Sequence, residues 1–408
     1  MCFAKFRFIP TLKEGVLMVQ ASSLFNQLLQ HFPRLEFASL VKKHLAEKGA
    51  KGFTCWTQFV AMTFCQLARA DSLREICNGL ACCEGKLTHL GIASAPNKST
   101  LSYANEHRPA KLFEDLFYTS MNRFRGQVGL GTRKAKFRFK NKLLSLDSTT
   151  ITLCLELFPW AEHRRKKGGV KAHVLLDHDD YLPSYVLITE AKKSDVRVAQ
   201  MLELNAGSIV AMDRGYNDYG LFGKWNLQGV FFVTRLKEDA AYEVVSSATA
   251  PLARNILADQ TIRFTGVKAA KDCPHLLRRV VFYDEINQRG IVLLTNLMKL
   301  AATTIAAIYK DRWEIELFFK ALKQNLKVKS FVGTSQNALL IQIWTALIAI
   351  LLLKWLHHLS KAKWSLSNLV SLLRMNLFTY RDLRLWLENP SGTPPIVPPS
   401  QQLGLNLG

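Results

Sequence analysis

The sequence predicts a mixed α/β fold: an all-helical segment leading into a mixed-sheet core that carries a β-rich insertion. Three observations predict it. Residues 22–128 repeat apolar side chains at three- and four-residue spacing, the period of an amphipathic helix. From Leu143 the texture changes to apolar runs of strand length, and from Ala301 the helical period returns. Between them, a helical stretch at 195–204 separates strand runs, as a mixed sheet with a crossover requires. With 408 residues, 49% hydrophobic side chains and only 22 Gly and 13 Pro, the chain can bury a sizeable core and is not globally disordered.

In chain order, the first element is an extension at 1–21. Its apolar run is broken by Pro10 and by Lys13-Glu14, and no small-residue cleavage site follows, so it does not read as a signal peptide. The helical domain at 22–128 comes next, punctuated by Gly49 and Gly52, with Asp71, Ser72 and Glu75 as a cap for the helix that follows. Asn97 caps a helix expected to expose Lys98, Thr100, Ser102, Asn105 and Arg108. A helix, a turn and such a polar helix is an arrangement that can read a major groove, or else the solvent face of an ordinary bundle. A basic linker at 129–142 closes a stretch, Arg123 to Lys142, that holds eight Lys or Arg and no acid; its cations alternate with Phe137 and Phe139.

The α/β domain is expected at 143–356. LLSLDSTTITLCL, VKAHVLLD and YLPSYVLITE form a three-strand meander whose last turn holds Asp177, Asp179 and Asp180, and SIVAMDRGY is a short buried strand ending in an acid. Five β-patterned runs between Val230 and Leu294 define an inserted subdomain at about 229–295. C-terminal helices and a Pro-rich tail occupy 357–408. Leu339 to Leu356 approaches membrane-span length, but it contains Gln342, Thr345 and Lys354 and no second span accompanies it, so it reads as a core helix.

A formal net charge of +22 calls for a polyanionic partner, with nucleic acid ahead of an anionic membrane surface. The eight cysteines include no CxxC pair, and most sit among apolar neighbours, as reduced thiols in a cytosol do.

Three acids stand out by position. Asp147 lies inside the first apolar strand, Asp213 directly follows Ile209–Met212, and Glu316 lies in the helix AIYKDRWEIELFFKALKQNLKV. An unpaired carboxylate is costly in such strands unless a cation sits beside it. Two strand acids and a helical Glu can together hold two divalent cations, the device for in-line attack at a phosphodiester. On that helix Tyr309, Arg312, Glu316 and Lys323 follow at spacings of three, four and seven, so one uninterrupted helix places all four within about 60° of arc. An ordinary Arg312–Glu316 pair would not explain Tyr309 and Lys323 continuing the stripe. His173 reads as a packed strand histidine and Arg214 as a counter-charge for Asp213. The His163–Lys167 loop is solvated by default, and next to a DNA enzyme it adds phosphate contacts.

YKDRWEIELFFKALK resembles the Tyr-x2-Arg-x3-Glu-x6-Lys signature of the DDE transposases of bacterial insertion sequences, in the family numbered four, and matches it at all four positions. LDSTTI is similar to that family's first Asp motif and AMDRGY to its second; the N-terminal stretch from Phe25 to Phe53 is similar to the helical domain that begins many members. The resemblance implies an RNase H-like core with a β insertion between the second Asp and the Glu. It implies that Asp147, Asp213 and Glu316 are catalytic and ligate two Mg2+ ions, with Mn2+ able to substitute. It implies that Tyr309, Arg312 and Lys323 contact DNA. Its partners are double-stranded DNA, namely the inverted-repeat ends and the target, held by a dimer on DNA in the bacterial cytoplasm with no membrane. Relatives flip a base onto a Trp; here Trp225 and Trp313 are the nearest indoles. The alternative is an inactive or repurposed DNA-binding derivative.

Overall fold

The computed structural model describes residues 22–83, 85–127, 136–154, 156–164, 167–362 and 364–396. The 1–21 extension, the first half of the expected linker (129–135) and the end of the Pro-rich tail lie outside the described residues.

Six helices come first: α1 (Leu24–Leu29), α2 (Arg34–Lys43), α3 (Cys55–Ala68), α4 (Leu73–Ala81), α5 (Lys98–His107) and α6 (Lys111–Gln127). Their starts follow cap chemistry. The Ser72 hydroxyl accepts from Glu75 N at 3.2 Å while the Glu75 carboxylate accepts from Asp71 N at 2.8 Å, a reciprocal box that satisfies otherwise orphaned N–H groups. Asn97 accepts from Thr100 N at 2.9 Å to open α5. The polar stripe expected on α5 is narrower than its sequence suggests. Lys98 and Ser102 are exposed, but Asn105 is buried and accepts from Gln58 Nε2 at 2.8 Å, while Arg108 donates to Gln58 Oε1 at 3.3 Å. These two side chains face α3, so they hold the bundle together and are withdrawn from any reading surface.

The strands are β1 (Leu143–Leu153), β2 (Glu162–Arg164), β3 (Lys167–Asp177), β4 (Leu182–Glu190), β5 (Ile209–Met212), β6 (Phe231–Arg235), β7 (Tyr242–Ala248), β8 (Ile256–Phe264), β9 (Leu277–Asp284) and β10 (Arg289–Thr295). Among the described residues they form one sheet in the order β2-β3-β1-β5-β6-β10-β9-β8-β7, with β4 also on β3. β1 runs antiparallel to β3 and parallel to β5, and β5 runs parallel to β6. The expected meander and crossover are therefore present. The boundary of the β-rich block is corrected: Phe231–Arg235 is a central strand beside β5, and β10 pairs antiparallel with β6, so the block extends the core sheet. An apolar run carries no mark of its partner, which is why the sequence placed β6 with the strands after it.

Helices α7 (Asp195–Met201), α8 (Tyr219–Leu227) and α9 (Val267–Asp272) cover one sheet face, meeting Leu144, Leu146, Val210, Met212 and Phe232. On α8, Gly223 lies so close to the Asp272 carbonyl that a Cβ there would collide with backbone. The other face receives α10 (Ala302–Asp311), which packs on Leu143, Ile209, Ala211 and Val233. Strand side chains alternate in direction, so Ser145 and Asp147 join Leu143 on this second face.

Beyond α10 come α11 (Trp313–Asn325), α12 (Gln336–Leu359), α13 (Leu366–Asn376) and α14 (Leu383–Glu388). Among the described residues α12 is the one helix long and apolar enough to cross a membrane, and 89% of its apolar window is buried inside the protein. Its neighbours are α3, α5, α6 and α13. A helix apolar all round belongs at the centre of a core. Its polar residues are satisfied there: Gln342 donates to the Lys327 and Ser330 carbonyls at 2.8 Å, and Thr345 to Ile341 O at 2.7 Å. One core cluster runs from α1 through α12 to Ile151, Val170 and Val174 of the sheet. The boundary expected near 128–143 thus separates sequence textures, while the helices and the sheet share a core.

Candidate active site

The pairing of β1 with β5 ends at Leu146 and Met212. Asp147 and Asp213 follow at the next position of each strand, side by side where β5 leaves the sheet. Asp213 turns the chain there, its Oδ1 accepting from Gly215 N at 2.8 Å. Arg214, expected to balance Asp213, pairs instead with Glu238 at 3.3 Å. Asp147 points to the second face, where Arg312 Nη1 stands 3.2 Å from its Oδ2 and 3.6 Å from Glu316 Oε1. The two carboxylates share a single guanidinium nitrogen, so their oxygens are no farther apart than those two contacts laid end to end.

The helix carrying the signature departs from its expected form. α10 stops at Asp311 and α11 starts at Trp313, and Arg312 forms the break between them (φ −50°, ψ −28°). Arg312 keeps a right-handed helical backbone, so Tyr309 before it and Glu316 after it still face one cleft. Tyr309, Arg312, Trp313 and Glu316 line a cleft of about 610 Å³ with Asp213, Arg235, Arg289 and Lys310. Lys323 does not line it; two turns further on, its ammonium donates to Thr150 O at 3.2 Å.

Electrostatics mark the acids as a unit. Burial is the main cause that pushes the Asp147 carboxyl up to about 7, and the negative charges of Glu316 and Asp213 add to it; the Ser148 N–H and Arg312 act in the opposite direction. Burial would lower the Arg312 pKa, but the negative charges of Asp147, Asp213 and Glu316 around it push it up. The Arg312 guanidinium lies over the Tyr309 ring, 5.5 Å from its centroid, and burial raises the Tyr309 phenol. Among the described residues, no three His, Cys, Asp or Glu side chains close on one point as a ready cation cage. The donor chemistry nonetheless fits hard divalent cations: the carboxylates of Asp147 and Glu316 meet at Arg312, and Asp213 lines the same cleft as Glu316.

Two polar clusters flanking Asp147 escaped the sequence reading. On the first face, Ser148 Oγ donates to Asp195 at 2.7 Å, and Asp195 also meets Lys171 at 3.2 Å and His173 at 3.3 Å. These partners hold the Asp195 carboxyl down at about 2 against its burial. His173 is wholly buried, as its strand position suggested. On the second face, His178 bridges Ser145 and Asp311. The acidic turn is more than a turn, since Arg125 and Lys142 both pair with its aspartates. The links from Ser145 to His178 and from His178 to Asp311 span 33 and 133 residues, so no local pattern announces them.

Residues 138–352 match the family described as Transposase DDE domain, more than half of the chain. The chain belongs to the DDE transposase family. Residues 20–93 of this transposase match a second family, described as Domain of unknown function (DUF4372). A Sinorhizobium fredii protein named transposase y4zB is 32% identical over 308 residues, 74% of this chain and 83% of its own. A Geobacillus stearothermophilus protein named for insertion sequence element IS5377 is 34% identical, covering 58% of this transposase and 62% of itself. The Escherichia coli transposase InsG of insertion sequence element IS4 is 26% identical over 43% of this chain and 42% of its own.

Proposed function

We propose that this transposase binds the terminal inverted repeats of its own insertion sequence, hydrolyses the phosphodiester at each end and joins the freed 3′-hydroxyls to target DNA. The observation that carries this reading is the Asp147–Arg312–Glu316 cluster beside Asp213, set in a cleft lined by cations. The sheet supports an RNase H-like core, since three antiparallel strands (β4, β3, β1) are followed by two parallel ones (β5, β6).

Asp147, Asp213 and Glu316 would hold two Mg2+ ions, or Mn2+ in their place. Bound there, such ions activate a water or a terminal 3′-hydroxyl and stabilise the leaving oxygen. Asp147 must give up its proton to act as a ligand, and burial together with the nearby charges of Glu316 and Asp213 opposes this. Arg312 then changes partner, releasing the carboxylates and gripping a phosphate as a bidentate fork. Tyr309 hydrogen-bonds a phosphate in the same cleft. Arg235, Arg289 and Lys310 track the backbone through it, and Lys323 contacts DNA further along α11. Trp313, 59% exposed at the cleft, offers the indole face on which an extruded base can stack. The helices of 22–128 supply the reader of the repeats, in a dimer on DNA in the bacterial cytoplasm.

The test is incubation of the full chain with Mg2+ and a duplex carrying its element's ends. Nicks leaving 3′-hydroxyls at the repeat boundary, abolished by chelation, are expected. Binding to the ends with no cleavage in Mg2+ or Mn2+ would replace this reading with that of a repurposed DNA-binding protein.

A further inference from the structure

Two polar rungs join β1 to the break between α10 and α11. One is the Asp147–Arg312 pair, 3.2 Å long. The other runs from Ser145 Oγ to His178 Nε2 at 2.6 Å, and from His178 Nδ1 to Asp311 Oδ2 at 2.6 Å. The rungs leave the helix from adjacent residues and the strand from alternate residues on one face. Tyr181 Oη adds a 3.3 Å contact to Asp311, and Lys136 pairs with the same carboxylate.

A serine, a histidine and an aspartate in this order suggest a nucleophile and its base. Ser145 is 0% exposed inside a strand, so no substrate atom can reach it. The arrangement does something else. The start of α11 has no side-chain cap, so capping does not set the direction in which that helix leaves Arg312. Asp311 is the last residue of α10, 4% exposed, and its side chain is tied through His178 to the strand that carries Asp147. The turn bearing His178 is itself anchored, with Asp177 and Asp180 held by Arg125 and Asp177 also by Lys142. A buried charged network adds little net stability compared with a packed apolar one, but it fixes one geometry.

We infer that Ser145, His178 and Asp311 are positioning residues that set the distance between Glu316 and Asp147. The inference rests on the transposase reading for its functional consequence, and not for its geometry. It predicts that Ser145→Ala, His178→Gln and Asp311→Asn in the full chain weaken binding of Mn2+ alone, followed by electron paramagnetic resonance, by about 10- to 100-fold. Cleavage of end DNA in Mg2+ should fall over the same range, while affinity for that DNA in chelator stays within about twofold. Ser145→Ala removes one hydroxyl and keeps the test usable if the other variants fail to fold. A crystal structure of that variant should show Glu316 displaced relative to Asp147. An unchanged carboxylate gap together with unchanged Mn2+ affinity would overturn the inference. So would losses that merely follow melting temperature, matched by an equally destabilised Leu352→Ala control. If the wild-type chain neither binds Mn2+ nor cleaves, the transposase reading fails, and the positioning role is decided by the crystallographic displacement.

Discussion

α12 packs among helices and α10 packs against the sheet, and the α12 and α10–α11 stretches are built to opposite specifications. α12 runs 24 residues without a break, and its polar groups are spent on neighbouring backbone carbonyls. The α10–α11 pair breaks at Arg312, and around the break it buries Asp311 and Arg312, with Arg312 3.2 Å from Asp147. One helix maximises apolar burial. The other accepts desolvated charge to hold groups at set positions. The difference teaches where damage should appear as lost stability and where as lost chemistry.

The largest expected effect lies at the break. Glu316→Gln keeps size and hydrogen bonding but removes a negative ligand, so end cleavage should drop on the order of 10³-fold or more, several kcal/mol of barrier. DNA binding should be retained. A parallel loss of cleavage and binding would return Glu316 to a structural role.

The reciprocal change is in α12. Leu352→Ala, at a fully buried position, should lower unfolding free energy by about 2–5 kcal/mol in a denaturant titration. Cleavage per folded molecule should hardly move. A specific catalytic defect in a folded Leu352→Ala protein would blur the division between the two helices.

Arg312→Ala sharpens the contrast in another way. If Arg312 trades carboxylates for phosphate, the slope of log affinity against log salt should shrink by about one. An unchanged slope would leave Arg312 as a counter-charge within the protein.

The smallest effect concerns His31, whose ring meets Trp355 of α12 edge-on at 4.5 Å. Burial first, and then the Arg123 charge, lower its pKa to about 4. The unfolded histidine takes its proton near 6.5, but the folded one does so only near 4. The neutral ring's contribution is therefore fully present above 6.5 and lost as pH falls toward 4. Stability should drop by about 2 kcal/mol between pH 7 and pH 5. His31→Gln should flatten that slope in thermal melts.

The elements were legible wherever their signal is local. Caps at Ser72 and Asn97, the apolar girth of α12 and the switch to strand texture at Leu143 can each be read from a few consecutive residues. The break at Arg312 was not legible, because a helical period continues straight through it. Nor was the withdrawal of Asn105 and Arg108 into the bundle, which depends on Gln58 of another helix. Lys323 kept its place in the spacing and yet stands outside the cleft, since it lies two turns beyond Glu316 on the same helix.

By itself, the sequence determined the family and offered three candidate acids in order, because a signature of spaced residues and apolar strand ends is written in one dimension. Tertiary structure decided which charges share Arg312, which strand neighbours β5, and that a histidine from a distant turn reaches both Ser145 and Asp311. The reason is physical. Periodicity and capping act over a few residues, whereas the pairing of buried charges follows from which surfaces the folded chain brings within about 3 Å of one another.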